Sequence, residues 1–219
     1  MAKKKIGVLL SGCGVFDGTE IHEAVLTLLY LDQQGAEAVC MAPDIDQAHV
    51  INHLTQAETD ETRNVLVESA RIARGEIRNL AEVTADQIDA LILPGGFGAA
   101  KNLSEFAFKG PDGAVNNQVQ QLLEAMITAG KPIGALCIAP ATVGMALKEK
   151  KPLLTVGSEE GVIGAMAAIG VRHQLCTVDD IAVDETHKIV TTPAYMLGPG
   201  IKDVAAGIEK LVKKVIALA

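Results

Sequence analysis

Short, almost wholly apolar runs, each stopped by glycine or proline, constrain this chain more than any other feature. Ile6 to Leu10 ends at Ser11-Gly12, Ala90 to Leu93 ends at Pro94-Gly95-Gly96, and Ile133 to Leu136 runs straight into Cys137-Ile138-Ala139-Pro140. A strand with one wet face alternates polar and apolar residues. These runs do not alternate, so both of their faces must be covered, as in a parallel sheet. After the first run, Thr19 is placed to cap a helix reaching about Gln34, with Ile21, Val25, Leu28 and Leu29 at helical spacing and Gly35 as its stop. Ala38 to Met41 follows as a second strand, and strand, helix and strand joined so closely require a right-handed crossover.

Further along, Glu61 to Arg74 and Asn116 to Ala129 read as helices, Leu153 to Val156 as a strand, and Ile181 to Val183 with Lys188 to Thr191 as a hairpin. Ile201 to Leu218 closes the chain as an amphipathic helix. The predicted fold is one α/β domain over residues 1–219, a three-layer sandwich with a mostly parallel central sheet of the flavodoxin-like kind. Such sheets bind ligands at the carboxyl ends of their strands. Three polar or glycine-rich segments converge there: Ser11 to Glu23, Pro94 to Lys101, and Cys137 to Pro140.

The net charge is -8, with acidic and basic residues mixed along the chain, so no basic stripe exists to neutralise phosphates and nucleic acid is not an expected partner. No stretch approaches the roughly 20 apolar residues that span a bilayer, so no membrane partner is expected either. The charged start Met1-Ala2-Lys3-Lys4-Lys5 precedes an apolar stretch too short for a signal-peptide core. These features predict a cytoplasmic protein whose Cys13, Cys40, Cys137 and Cys176 stay reduced. No two cysteines show CxxC spacing, and His49, His53, His173 and His187 show no HExxH spacing, so no metal site is predicted.

Cys137 lies where a buried strand turns into a helix, near unpaired N–H groups and the positive end of the helix dipole, which favour thiolate. It is the candidate nucleophile. Position alone leaves a second fate open, a small apolar residue filling the sheet edge. Gly95-Gly96, at the end of the strand expected beside that of Cys137, allow backbone amides to approach a ligand and could form an oxyanion hole with the amide of Ile138.

Leu93-Pro94-Gly95-Gly96, Ala100-Lys101-Asn102-Leu103-Ser104-Glu105 and Leu136-Cys137-Ile138-Ala139-Pro140-Ala141 together resemble the ThiJ/PfpI superfamily, whose fold is class I amidotransferase-like with a cysteine nucleophile elbow. The opening from Leu10 to Glu23 and the late Val190-Thr191-Thr192-Pro193-Ala194-Tyr195-Met196 resemble its ElbB branch, named for enhanced lycopene biosynthesis and so tied by name to isoprenoid output. The resemblance implies that a first-helix glutamate, twelve residues before the glycine ending that helix, hydrogen-bonds the thiol. Here that residue is Glu23, and Glu20 is left to complement the helix dipole. A carboxyl beside the thiol and shielded from water would have a raised pKa and could move a proton.

Many relatives carry histidine directly after the cysteine, where this chain has Ile138, so a Cys-His dyad is not expected. Class I glutamine amidotransferases use a late His-x-Glu pair, whereas His187 is followed by Lys188-Ile189. The resemblance implies a cofactor-independent and metal-free glyoxalase acting on small dicarbonyls, glyoxal to glycolate with methylglyoxal to lactate as an extension, and a homodimer. A non-catalytic redox sensor or partner-binding protein acting through oxidation of Cys137 is the other class open to the same thiol. His22 points about 100° from Glu23 and lines the pocket only if the helix end tilts towards it. Cys13, between Gly12 and Gly14, is the other candidate pocket residue, able to resolve an oxidised Cys137 where the distance permits.

Overall fold

The apolar runs do form strands buried on both faces, and every residue of Ala90–Leu93 and Ile133–Leu136 is buried. The computed structural model describes residues 3–219, and Met1 and Ala2 of the charged start lie outside them. The first half of the chain gives β1 (Lys5–Leu9), α1 (Ile21–Gln33), β2 (Glu37–Ala42), α2 (Val65–Ile72), β3 (Arg78–Asn79), β4 (Ala90–Leu93), α3 (Phe97–Lys101) and α4 (Phe106–Lys109). The second half gives α5 (Asn117–Thr128), β5 (Ile133–Leu136), α6 (Ala139–Ala146), β6 (Leu153–Leu154), α7 (Glu160–Ala168), β7 (Arg172–His173), β8 (Ala182–Asp184), β9 (Ile189–Thr192) and α8 (Ile201–Leu218).

Seven strands make the central sheet in the order β3-β2-β1-β4-β5-β9-β8, all parallel except β8, which runs antiparallel to β9 in the expected hairpin. Side chains alternate between two apolar layers. Ile6, Val8, Ala90 and Ile92 pack with Ala24 and Leu31 of α1 and with Val204, Ile208 and Leu211 of α8. Leu91, Leu93, Ile133 and Ala135 face the other way, onto Leu123 and Met126 of α5 and Val143 of α6. Burying each such side chain stabilises the fold by about 1.5–3 kcal/mol relative to exposure, which is why these runs cannot tolerate a polar residue. Among the described residues no helix is long and apolar enough to cross a membrane.

Local signals fix several helix ends. Asn116 caps α5 by accepting from the Gln118 and Val119 amides at 3.0 and 3.4 Å, and Asn64 caps α2 through Val67 N–H at 3.0 Å. The latter makes α2 shorter than the periodicity from Glu61 to Arg74 predicts. Thr19 does not cap α1. Its Oγ1 accepts from Ser11 N–H at 2.7 Å, and Glu20 takes the cap by accepting from Glu23 N–H at 2.7 Å. The strand expected from Leu153 to Val156 stops at Leu154 and pairs with β7 in a separate two-stranded sheet, because Thr155 N–H turns to the Thr191 hydroxyl instead.

Of the four residues in the expected apolar stripe of α1, only Leu28 packs against the core, and the other three turn outward. Ile21, Val25 and Leu29 are 41, 49 and 44% exposed, while Glu23, Ala24, Leu26, Thr27 and Leu31 are buried. That rotation carries a carboxyl inward, to the carboxyl ends of β1, β4 and β5. Asn102, just after α3, fixes the neighbouring 11–20 loop by donating to Ser11 O and Asp17 O at 2.8 and 2.9 Å. Its Oδ1 accepts from Ala48 N–H at 2.9 Å, which ties down the long 43–64 connection as well.

Candidate active site

Cys137 follows β5 directly, and its amide donates to Thr192 O of β9 at 3.1 Å. Its φ of +57° lies in the left-handed region, which costs a non-glycine residue on the order of 1–2 kcal/mol. The turn lifts the thiol off the sheet edge while Ile138 caps α6 and Pro140 sits in its first turn. Cys137 as a residue is 8% exposed.

Glu23 is 0% exposed. A carboxyl so buried must have its oxygens satisfied. Oε2 accepts from Gly95 N–H at 2.8 Å, Oε1 accepts from Tyr195 N–H at 3.1 Å, and the side chain hydrogen-bonds the Cys137 thiol. The backbone is held too, since Thr27 Oγ1 donates to Glu23 O at 2.8 Å. Burial pushes the Glu23 pKa up to about 8, with the Tyr195 amide opposing, the Glu20 charge adding and the Gly95 amide opposing. A carboxyl with such a pKa is mostly protonated at neutral pH and ionised in a minority of molecules.

The thiol is also driven towards its neutral form. Burial, followed by the negative charge that Glu23 carries when ionised, holds Cys137 well above the ordinary thiol range, against the amides of Gly96 and Ile138 that hydrogen-bond the sulfur. The helix start therefore acts in the expected direction and is outweighed, so the resting group is a thiol rather than the thiolate that position alone implies. While Glu23 is protonated its charge no longer opposes ionisation of the sulfur, and the two groups titrate as one pair.

Gly95 and Gly96 are required by close approach. A Cβ on Gly95 would lie 2.6 Å from Glu23 Oε2 and 3.0 Å from Cys137 Sγ, and one on Gly96 would collide with Glu20 N and Gly18 O at a backbone φ of +93°. The expected three-amide hole needs one correction. The Gly95 amide is already engaged by Glu23, which leaves Gly96 and Ile138 facing the sulfur.

His22 does reach this neighbourhood, through a residue the sequence reading left without a role. Its Nδ1 lies 2.8 Å from Tyr195 Oη and 3.9 Å from Glu20 Oε1. Tyr195 follows Ala194, whose φ of +44° is strained, and that turn aims the Tyr195 amide at Glu23. Only the Pro193-Ala194 pair, a turn former after an apolar strand, signalled a special backbone there. Glu20 is buried and serves as the α1 cap, and burial raises its pKa. Cys13, by contrast, sits against α2. Its charged neighbours are Glu68, Arg71 and Asp17, and the adjacent Gly12 N–H donates to Ser69 Oγ at 2.8 Å. The structure does not bring it to Cys137 as a resolving thiol.

Burial pushes Cys40 up to about 11, and burial with Asp180 and Asp179 does the same to Cys176. His53, His173 and His187 have structural partners: Phe16 N–H, Val156 N–H and Asp184. Among the described residues no group of three or more His, Cys, Asp or Glu side chains is placed to hold a metal ion.

The chain is 46% identical over 227 residues to the ES1 protein homolog, mitochondrial, of Rattus norvegicus, covering 99% of this chain and 84% of that protein. It is 46% identical over 224 residues to the human glutamine amidotransferase-like class 1 domain-containing protein 3, mitochondrial, covering 98% and 83%. These relatives, mitochondrial by name, overturn the expectation of a cytoplasmic protein. A crystal structure of an isoprenoid biosynthesis protein with amidotransferase-like domain from Ehrlichia chaffeensis superposes with a TM-score of 0.92 at 34% identity, over 98% of this chain and 99% of that one. The DJ-1/PfpI family model matches residues 13–151, a span that runs from the first loop through Glu23, Gly95 and Gly96 to the Cys137 elbow. With the elbow, the buried glutamate and the sheet order all in place, the chain belongs to the DJ-1/PfpI family.

Proposed function

We propose that this protein is a cofactor-independent glyoxalase converting glyoxal to glycolate. The observation that carries the reading is the hydrogen-bonded contact between the Cys137 thiol and a fully buried carboxyl, Glu23, whose pKa of about 8 suits it to give and take a proton near neutral pH. In this mechanism the Cys137 sulfur adds to one aldehyde carbon while the thiol proton, by way of Glu23, ends on the carbonyl oxygen, giving a hemithioacetal. The Gly96 and Ile138 amides, which face the sulfur, are the donors for the oxygen as charge develops on it.

Turnover runs through the molecules in which Glu23 is ionised, a minority at neutral pH for a pKa of about 8. After relaying the thiol proton, the carboxylate removes the hydrogen of the hemithioacetal carbon to form an enediol. Returning that proton to the neighbouring carbon, with the hydroxyl proton passing to the second oxygen, gives a glycolyl thioester on Cys137. Water cleaves the C–S bond, releasing glycolate and restoring the thiol. One carbon is oxidised as its neighbour is reduced, so no external electron acceptor is needed. Small dicarbonyl substrates and a homodimer belong to the same reading, and light scattering on the purified protein tests the latter.

The alternative, a redox sensor, uses the same sulfur but needs a resting thiolate that meets peroxide readily. Cys137 is a buried residue whose thiol burial holds above its ordinary pKa, which weighs against that. Second-order rate constants for glyoxal and for peroxide, measured on wild type and Cys137→Ser, separate the two. Glyoxal loss that depends on Cys137 and outpaces peroxide oxidation supports the glyoxalase; rapid oxidation of Cys137 without glyoxal turnover replaces it with the sensor.

A further inference from the structure

Glu23 is held at its two oxygens by backbone amides, and the two anchors differ. The Gly95 amide belongs to the stretch that follows β4 in the centre of the sheet, whereas the Tyr195 amide belongs to a short turn after β9 that is strained at Ala194. A strained turn stays put only when its surroundings hold it. The turn is held from within by Gly198 N–H donating to Ala194 O at 2.9 Å and by burial of Ala194 in the layer that contains α8. It is tied to α1 by one side-chain hydrogen bond, between Tyr195 Oη and His22 Nδ1 at 2.8 Å, with the two rings tilted together at a centroid distance of 5.9 Å. His22 stands on the first turn of α1, one residue from Glu23 itself. With its proton on Nε2, Nδ1 accepts from the phenol.

We propose that His22 and the Tyr195 side chain are positioning residues for Glu23: their hydrogen bond pins the 193–197 turn to α1 and so keeps the Tyr195 amide on Glu23 Oε1. The loop of contacts is closed, since it runs from Glu23 Oε1 to the Tyr195 amide, along the Tyr195 side chain to His22, and back through one peptide to Glu23. The clamp joins the two elements that meet over the thiol. Neither side chain touches the sulfur in these contacts, so neither is a catalytic residue.

The consequence falls on the acidity of Glu23. Its charged and titratable neighbours are Glu20 on α1, Cys137 at the elbow and the Tyr195 phenol on the turn, with His22 beyond Glu20. The Tyr195 amide favours the carboxylate, so loosening it keeps Glu23 protonated to higher pH. Loss of one such bond corresponds to an upward shift of about half to one pH unit.

The proposal rests on Glu23 being the proton-transfer group, but its test needs no aldehyde. Infrared titration follows the protonated-carboxyl band of Glu23, identified by its absence in Glu23→Gln, and the pH dependence of Cys137 alkylation by iodoacetamide follows the partner. Tyr195→Phe and His22→Leu should both shift the Glu23 titration upward, while His22→Asn, which restores an acceptor at the Nδ1 position, should titrate like wild type. His22 is more than half exposed, so its replacement leaves the fold intact even if Tyr195→Phe does not. Wild-type titration in His22→Leu, or a His22→Asn that shifts as His22→Leu does, overturns the clamp. Absence of glyoxal turnover would remove the proposed reaction and leave this result standing.

Discussion

Replacing Gly95 with alanine tests whether the thiol and the carboxyl are packed as tightly as the geometry requires. The added methyl would lie 2.6 Å from Glu23 Oε2 and 3.0 Å from Cys137 Sγ, and would also collide with Cys137 Cβ. Gly95 is not among the positive-φ glycines, so the effect is steric and not conformational. Neither neighbour can yield freely, because Glu23 is fixed by two amides and Cys137 by its elbow. Overpacking of this kind costs about 1–3 kcal/mol, and a chain of this size loses about 2–4 °C per kcal/mol, so the melting temperature should fall by roughly 2–12 °C. A displacement near 1 Å at reacting groups costs about 10²-fold in rate, so any Cys137-dependent turnover should drop by about that factor. Gly164→Ala is the control: it sits in α7 with nothing within 4 Å of its added Cβ and should raise stability slightly. Melting by circular dichroism and turnover on both variants give the answer. A Gly95→Ala protein that melts and reacts like wild type would show that the thiol and carboxyl are not packed in this way.

Glu23 also makes a pH-dependent claim on stability. Its unfolded pKa of 4.5 is raised to about 8 on folding, so the unfolded chain loses this proton first and the contribution of Glu23 to stability falls as pH rises between those values. Glu23→Gln, which cannot ionise, should therefore gain on wild type in urea midpoint from pH 5 to pH 8; a constant difference across that range contradicts the assignment. Asp184 behaves in the opposite sense. Burial raises its pKa but is outweighed by the Leu153 amide and by His187, so it stays ionised while accepting from Leu153, Thr186 and His187 N–H. Asp184→Ala leaves those donors without an acceptor and should cost roughly 3 kcal/mol by urea unfolding, and in wild type this stability should be lost as pH falls through the depressed pKa.

The parallel core of this fold is legible in the sequence because β1, β4 and β5 carry no polar alternation, and only burial on both faces accommodates such runs. The last helix is legible for a related reason: Val204, Ile208, Leu211 and Val215 recur on one face and that face is buried. The first helix misleads. Its most apolar stripe, Ile21, Val25 and Leu29, is half exposed, and Glu23 and Thr27 face inward, because paired polar groups at a site can displace hydrophobic periodicity. Cys137 could be found from its place between strand and helix, and Glu23 only through resemblance to a family. Tyr195 acts on Glu23 through its amide, which every residue but proline possesses, so no side-chain pattern marks it. The upward push on the thiol escaped for another reason: helix position can be read from sequence, but the burial that outweighs it belongs to the folded chain.

The central claim, that Cys137 and Glu23 together turn glyoxal into glycolate through an enediol, is tested most directly by running the reaction in deuterated water and reading the product by NMR. Wild type should release glycolate carrying solvent deuterium on its hydroxymethyl carbon. Glu23→Gln should lose about 10²- to 10⁴-fold in that product, while Cys137 remains open to alkylation, and Cys137→Ser should form none above buffer. Glycolate formed by Glu23→Gln at near wild-type rate, or no glycolate from wild type at all, would contradict the account.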